Sequence, residues 1–452
     1  MTLLRPAVPG VEESGEFLDS QPEWVPTRAL GRAVLVTGLL LIAGVLAGRV
    51  DLVVLAIPFA LGTVVALHRR PRERPRIALD IDEGYLVEGA EAVAAVTVGN
   101  PDPPAYDLVV VRTRIPPWLR IKDGDRPVLL TLAPGAVDQV ELRGEALRWG
   151  RHPLGPAAAR AAACDGLLTS RPGVAYERDL KVYPVTEPFD ADDAMPRAAG
   201  LVGGHRSRRP GEGGELAGVR IFQPGDRLRR IDWRVSLRTE RLHVAATLSD
   251  RDAEVVLLLD VLAEAGGSGG IGGTASVLDT TVRAAAAIAE HYLHRGDRVS
   301  MLEYGTSARR LRPATGRRQY LTVLEWLLDV EAQPSPYEPY DQVFGPHLLS
   351  SDALVVVFTP LVDGRSAEML AKLARAGRFV LAVDTLPEHV APEHRSDWTE
   401  VAHRLWRLER ENTIGQLREH GVPVVRWAGA GTLDLVLRDV ARMASAPKGA
   451  LR

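Results

Sequence analysis

Glu254-Val255-Val256-Leu257-Leu258-Leu259-Asp260-Val261 is an apolar run closed at its far end by a single acid. A strand with one wet face alternates apolar and polar residues, so a run that is apolar throughout is a strand covered on both faces. Similar runs recur at 298–304, 353–359, 379–384 and 422–427. Helical periodicity occupies 277–294, 319–330, 366–375, 401–420 and 432–446. Buried strands alternating with helices predict a parallel sheet joined by right-handed crossovers, a doubly wound α/β domain. Any site in such a domain lies at the carboxyl ends of its strands, and Asp260 stands at one of them.

Upstream the chain reads Gly214-Glu215-Leu216-Ala217-Gly218-Val219-Arg220-Ile221-Phe222-Gln223-Pro224-Gly225-Asp226-Arg227-Leu228-Arg229-Arg230-Ile231-Asp232-Trp233-Arg234, then Ser236, Leu237, Arg238 and Thr239. Pro224-Gly225 is a turn, and Asp226 is placed to cap a short helix carrying Arg229, Arg230 and Trp233. Ten arginines face five carboxylates between Arg206 and Arg241. Guanidinium groups at that density grip carboxylates or phosphates through bidentate forks. Two readings stand. In one, Asp226, Asp232 and Glu240 hold the arginines in an internal brace under Trp233. In the other, Arg220, Arg227, Arg229, Arg230 and Arg238 face a partner.

Near the start, residues 33–48 and 52–67 form two uncharged apolar runs separated by Arg49-Val50-Asp51. Each is shorter than the roughly twenty residues that cross a bilayer. Adjacent as they are, they predict a transmembrane helical hairpin, with Gly38, Gly44 and Gly62 permitting close approach. Arg28 and Arg32 precede it, and His68, Arg69, Arg70, Arg72, Arg74 and Arg76 follow it. Positive flanks stay in the cytoplasm, which puts both termini and the bulk of the chain there.

The 452 residues carry a net charge of −3 and one cysteine, Cys164. No global basicity points to nucleic acid, and no disulfide framework or cysteine-rich zinc site can form. From residue 77 to 183 short alternating runs such as 93–98, 108–112 and 128–132 are punctuated by Asn100-Pro101, Pro116-Pro117 and Pro134-Gly135. That spacing predicts a small antiparallel β-sandwich.

The stretch 214–239 resembles the signature of the domain of unknown function 58 family. Trp149-Gly150-Arg151-His152, Gly155-Pro156, Asp165-Gly166-Leu167 and Val182-Tyr183-Pro184 resemble further stations of that family, the third in contracted form. The resemblance implies a membrane-anchored, cytoplasm-facing protein partnered by a MoxR-type AAA+ ATPase in assembling or activating other complexes. It also implies a C-terminal domain of von Willebrand factor type A-like form. Such domains hold Mg²⁺ through D-x-S-x-S, a Thr and a late Asp. Here Asp260 survives, but Leu262 and Glu264 replace both serines, Thr359-Pro360 stands at the late acid, and Thr315 is the candidate Thr. Mg²⁺ demands near-octahedral oxygen coordination, so the expectation is a degenerate remnant, Asp260 and Thr315, without metal.

Gly267-Ser268-Gly269-Gly270-Ile271-Gly272 matches G-x-G-x-x-G, but Leu262 to Gly266 separate it from the strand end and Glu303 is too distant to serve as the ribose acid. It reads as a flexible glycine-rich insertion. No P-loop, G-x-S-x-G or H-E-x-x-H motif is present. The expected organisation is a tail at 1–29, a hairpin at 30–70, a sandwich at 77–183, the Arg-rich segment at 184–250 and the α/β domain at 251–447. The expected role is that of a non-enzymatic adaptor without cofactor. The competing role is a metal-dependent ligand binder or enzyme acting at Asp260.

Overall fold

The computed structural model describes residues 23–427 except 83, 122–125, 187–209, 224–230, 249–253, 308, 335–338, 340–348, 350–352, 389 and 391–395, with backbone alone at 210–218 and 246–248. The chain divides into two compact units, Met1–Val182 and Tyr183–Arg452.

The first unit begins with strand β1 (Trp24–Pro26) and helices α1 (Arg28–Ala47) and α2 (Val50–His68). The helices extend beyond the uncharged runs to 20 and 19 residues, because Arg28 and His68 are taken into their end turns. Both are long and apolar enough to cross a membrane, and only 11% of the core window of each is buried. Most of their large apolar side chains, Leu35, Ile42, Leu46, Val54 and Leu61 among them, are exposed. Only one of the three expected glycine contacts is present. A Cβ at Gly44 would stand 2.9 Å from Val53 and 3.1 Å from the Arg49 carbonyl, whereas Gly38 and Gly62 have nothing within 4 Å. Of the three glycines, Gly44 alone is in close contact, at the turn end of the hairpin.

Strands β2 (Arg76–Ile81), β3 (Leu86–Val87), β4 (Glu91–Gly99), β5 (Tyr106–Thr113), β6 (Leu119–Ile121), β7 (Val128–Leu132) and β8 (Val137–Ala146) follow. They are succeeded by β9 (Gly150–Leu154), β10 (Ala157–Ala163), β11 (Leu168–Ser170), β12 (Gly173–Ala175) and β13 (Arg178–Tyr183). They form sheets ordered β1-β11-β10-β5-β7, β2-β4-β8-β6 and β3-β13-β9, with β12 also on β10. The inward residues of β4 (Ala92, Ala94, Val96, Val98), β5 (Val109, Val111) and β10 (Ala157, Ala159, Ala161, Ala163) share one core. Strict alternation along β4 and β10 sets one face of each toward it.

A buried carboxylate ties the segment after α2 to β5. Asp102 accepts from the Arg72 amide at 2.8 Å, the Glu73 amide at 3.1 Å and the Tyr106 hydroxyl at 2.8 Å. Burial, reinforced by Asp102, pushes the Tyr106 phenol far above its ordinary value, so it remains a donor. Trp24 packs on Tyr106 with ring centroids 5.4 Å apart and donates to the Glu73 carbonyl.

The second unit opens with β14 (Pro210–Ile221), helix α3 (Trp233–Thr239) and β15 (His243–Leu248), where β14 and β15 pair as an antiparallel ribbon. The main sheet comprises β16 (Glu254–Asp260), β17 (Arg298–Tyr304), β18 (Arg310–Ala314), β19 (Leu354–Thr359), β20 (Phe379–Asp384) and β21 (Val424–Arg426). Helices α4 (Val277–His294), α5 (Gly316–Leu327), α6 (Gly364–Arg375) and α7 (Thr399–Glu419) accompany it. Spatial order is β18-β17-β16-β19-β20-β21, parallel except at the edge strand β18. The sequence reading lacked β18. Its Arg310-Leu311-Arg312-Pro313-Ala314 alternation reads as surface until an edge position explains it. The expected helix 432–446 lies outside the described residues.

The glycine-rich stretch after β16 is a closed loop, not a slack insertion. Gly269 N donates to Thr274 O at 2.8 Å, Thr274 Oγ1 to Gly267 O at 3.0 Å and Gly273 N to Gly270 O at 3.1 Å. The loop delivers Ser276 and Asp279 as the capping box of α4.

On β17, Glu303 is 1% exposed. Arg309 lies 2.9 Å away, itself stacked over Trp326 at 4.3 Å, yet the alignment leaves both carboxylate oxygens without a hydrogen bond. Burial raises the Glu303 carboxyl to about 7, with the Arg309 charge opposing. Below the unfolded value of 4.5 both states hold the proton and the stabilisation is complete. Between that value and about 7 only the folded state keeps it, so stability falls as pH rises. The full span is on the order of 3 kcal/mol. Glu303→Gln stays uncharged at every pH, so from pH 5 to 8 its melting temperature should rise relative to that of wild type as pH rises. A constant offset would remove Glu303 from the pH response.

Candidate functional site

In a doubly wound sheet the crevice opens where strand order reverses, here between β16 and β19. Asp260 ends β16 and Thr359 ends β19, so the sequence folds a carboxylate and a hydroxyl onto that point. The Asp260 carboxylate is 1% exposed. Its Oδ2 accepts from Thr359 Oγ1 at 2.7 Å and from Ser366 Oγ at 2.6 Å, while Oδ1 accepts from the Leu262 amide at 3.2 Å. Thr359 Oγ1 in turn accepts from the Leu361 amide at 3.1 Å. Burial drives the Asp260 pKa up, and the Ser366, Thr359 and Leu262 donors pull it down.

Ser366 stands in the first turn of α6, which Asp363 caps by accepting from the Arg365 amide. The Arg365 guanidinium grips the same carboxylate, and this hydrogen bond holds Asp363 below the ordinary carboxylate range. Ser366 and Asp260 resemble a nucleophile and base, but Ser366 is fully buried and no substrate can reach its oxygen.

The arrangement does not fit Mg²⁺. Oxygens adjacent around an octahedral Mg²⁺, each bonded at about 2.1 Å, stand about 3.0 Å apart. The Asp260 contacts at 2.6 and 2.7 Å are shorter, and they are direct donations into the carboxylate. Thr315 is elsewhere. It follows Ala314, which pairs with Val299 at the start of β17, whereas Asp260 pairs with Tyr304 at its end. The antiparallel course of β18 carries Thr315 to the opposite edge of the sheet. Among the described residues no group of three or more His, Cys, Asp or Glu could hold a metal.

Other rim residues escaped the sequence reading. Gln333 Oε1 accepts from Thr306 Oγ1 at 2.9 Å and the Ser307 amide at 3.0 Å, bracing the loop after β17. Asp384, ending β20, accepts from the Leu386 amide at 3.0 Å and from Arg410 of α7, which also donates to the Pro360 carbonyl. Beside this pair lies a cavity of about 370 Å³ lined in part by His403, Trp406, Arg407 and Glu411. The available signal was a polar residue at the end of each apolar strand: Asp260, Thr359 and Asp384 close theirs, and Thr306 follows two residues after β17.

The Arg-rich segment departs from expectation in two ways. The cap of α3 is Asp232, whose carboxylate accepts from the Arg234 and Val235 amides at 3.0 and 3.1 Å. Trp233 is 61% exposed and does not cover a core. Ser236 locks α3 to β15 by receiving the His243 amide at 2.9 Å. Arg220 is half-buried at the end of β14 and Arg238 is exposed on α3. Asp226, Arg227, Arg229 and Arg230 lie outside the described residues, so the three arginines are placed neither in a brace nor on a surface.

Among solved structures, the C-terminal domain of wzt (16% identity, 28% of this chain and 89% of that one, TM-score 0.18) and the cupredoxin domain of amoB from Nitrosocaldus yellowstonii (10%, 28% and 96%, TM-score 0.18) are similar only slightly. Uncharacterized proteins of Mycobacterium tuberculosis and Mycobacterium bovis are each 34% identical over 138 residues, 30% of this chain and 42% of their own length. The chain thus spans less than half of these curated relatives. Residues 218–389, from the end of β14 to just past β20, match the family described as protein of unknown function DUF58.

Proposed function

We propose that this chain is a membrane-anchored interaction protein whose α/β domain, of von Willebrand factor type A-like form, docks partners without a metal ion. One observation carries the reading: the crevice position is closed by Asp260, Thr359 and Ser366 bonding to one another, so neither a cation nor a substrate is offered a free ligand there. Strand order with Asp260 at the reversal point supports the domain type. The uncovered apolar surfaces of α1 and α2, with arginines at both ends of the hairpin, support insertion with both termini and the bulk of the chain in the cytoplasm of a multi-pass cell-membrane protein. A MoxR-type AAA+ ATPase is the proposed partner. The surface on α3 would meet it, since Trp233, Leu237 and Arg238 point outward from a helix fixed at both ends.

Three outcomes are expected. Melting of the second unit should coincide in EDTA and in excess Mg²⁺. Asp260→Ala, which strips Thr359 and Ser366 of their acceptor, should cost about 2–5 kcal/mol under both conditions. A metal-dependent rise of several degrees that Asp260→Ala abolished would restore a metal site.

The full-length chain should stay with membranes through alkaline carbonate and should resist protease added outside intact cells. Release by carbonate would overturn the anchor.

Trp233→Ala and Arg238→Glu should leave stability within about 0.5–1 kcal/mol of wild type, as expected for exposed positions, yet weaken co-purification of the ATPase. Capture at wild-type level by the folded double variant would take α3 out of the interface.

A further inference from the structure

Helix α7 carries apolar side chains on two opposite faces. His403, Trp406, Arg410, Ile414 and Leu417 are buried or half-buried against their own domain. The other side presents Val401, Leu405 and Leu408, 52%, 62% and 53% exposed, in line with the N-cap residue Trp398 at 75%. A helix laid on a sheet needs one apolar stripe and normally turns charge toward water. Among the described residues, the second stripe stays exposed and packs on nothing in this domain.

Its spacing is specific. Steps of three, four and three residues join Trp398, Val401, Leu405 and Leu408, and a further step of four reaches exposed Asn412. This is the a/d pattern of a two-stranded coiled coil, with Trp398, Leu405 and Asn412 at a and Val401 and Leu408 at d. Arg404 then falls at g and Glu409 at e. In a parallel pair each g residue meets the e residue five positions on in the other helix, so Arg404 meets the partner's Glu409, twice by symmetry. Among the described residues Arg404 pairs with Glu400, in an exposed contact at 3.2 Å that contributes little.

We propose that α7 pairs with α7 of a second copy of this chain as a parallel coiled coil over residues 398–412. Self-complementary flanks identify the occupant as a second copy. Asn412 selects the direction: parallel strands set it against the partner's Asn412, where the amides can bond. An antiparallel register centred on Leu405 and Leu408 would press it against the partner's Val401 and leave the amide unsatisfied. Two heptads are too short to hold a free peptide helical, but α7 is already folded on its own domain, so association need not nucleate it. The seam is small, and the pairing is accordingly reversible.

Mass photometry and sedimentation of the full-length chain, in whatever detergent or buffer keeps it monodisperse, test this across the micromolar range. Wild type should dimerise. Leu405→Glu with Leu408→Glu should weaken the dimer at least about tenfold while leaving the melting temperature in place. Arg404→Glu should weaken it too, and adding Glu409→Arg should restore it, a rescue that a folding defect cannot produce. In a Cys164→Ser background Val401→Cys should cross-link across the seam, since in-register d positions bring the two thiols together. A monomeric wild type, a dimer untouched by the double Glu variant, no rescue by the charge exchange, or cross-linking only when Val401→Cys is combined with Asn412→Cys would each overturn the proposal.

Discussion

The Asp260 carboxylate governs the second unit. Burying a charge is costly unless donors replace the lost water, and hydrogen bonds to a charged group contribute about 1.5–3 kcal/mol each. Three donors from separate segments meet that need: the end of β19, the first turn of α6 and the loop after β16. Satisfying one acid thereby fixes the end of a central strand, its neighbour, and the start of the helix that follows. The same network uses up the crevice. Hydroxyls aimed inward at Asp260 are not aimed outward at a ligand, so whatever this rim recognises it recognises through its surroundings.

The first unit solves its own problem in the same way. Asp102 collects the Arg72 and Glu73 amides and the Tyr106 hydroxyl, pinning the segment that leaves α2 to the start of β5. The hairpin sets Leu30 and Ala66 into the core of the sheets but leaves most of its large apolar side chains exposed, so its position needs a constraint besides burial. Directional bonds at its foot supply that constraint. Asn100 extends the bracket by donating to the Pro104, Leu132 and Ala133 carbonyls.

What the sequence revealed follows from which signals are local. The strands at 298–304 and 379–384 and the helix at 277–294 were legible to the residue, since apolar runs and helical periodicity depend only on near neighbours. Thr315 was misplaced because the direction of β18 is a property of pairing, which the alternation in Arg310–Ala314 does not encode. Ser366 was invisible as a partner of Asp260 because a separation of 106 residues is closed only by the fold. Gly38 and Gly62 were expected to bring the helices together, but small size permits close approach without requiring it, and Gly44 alone is used.

Trp233 shows the same limit most sharply. An aromatic among arginines and acids reads as the anchor of a brace, because aromatic burial is the commonest use of so much apolar area. Yet α3 is secured without it: Asp232 caps its start, Ser236 Oγ donates back to the Asp232 carbonyl at 2.6 Å and receives the His243 amide, and Thr239 meets His243 Nδ1 at 3.0 Å. Seven residues are too few for a helix to persist on propensity, so these polar bonds are what hold it. Because they hold it, Trp233 and Leu237, one turn apart, are free to face outward. Burial of a large aromatic is therefore not needed to fold this helix, and its exposed apolar side chains are left over from it.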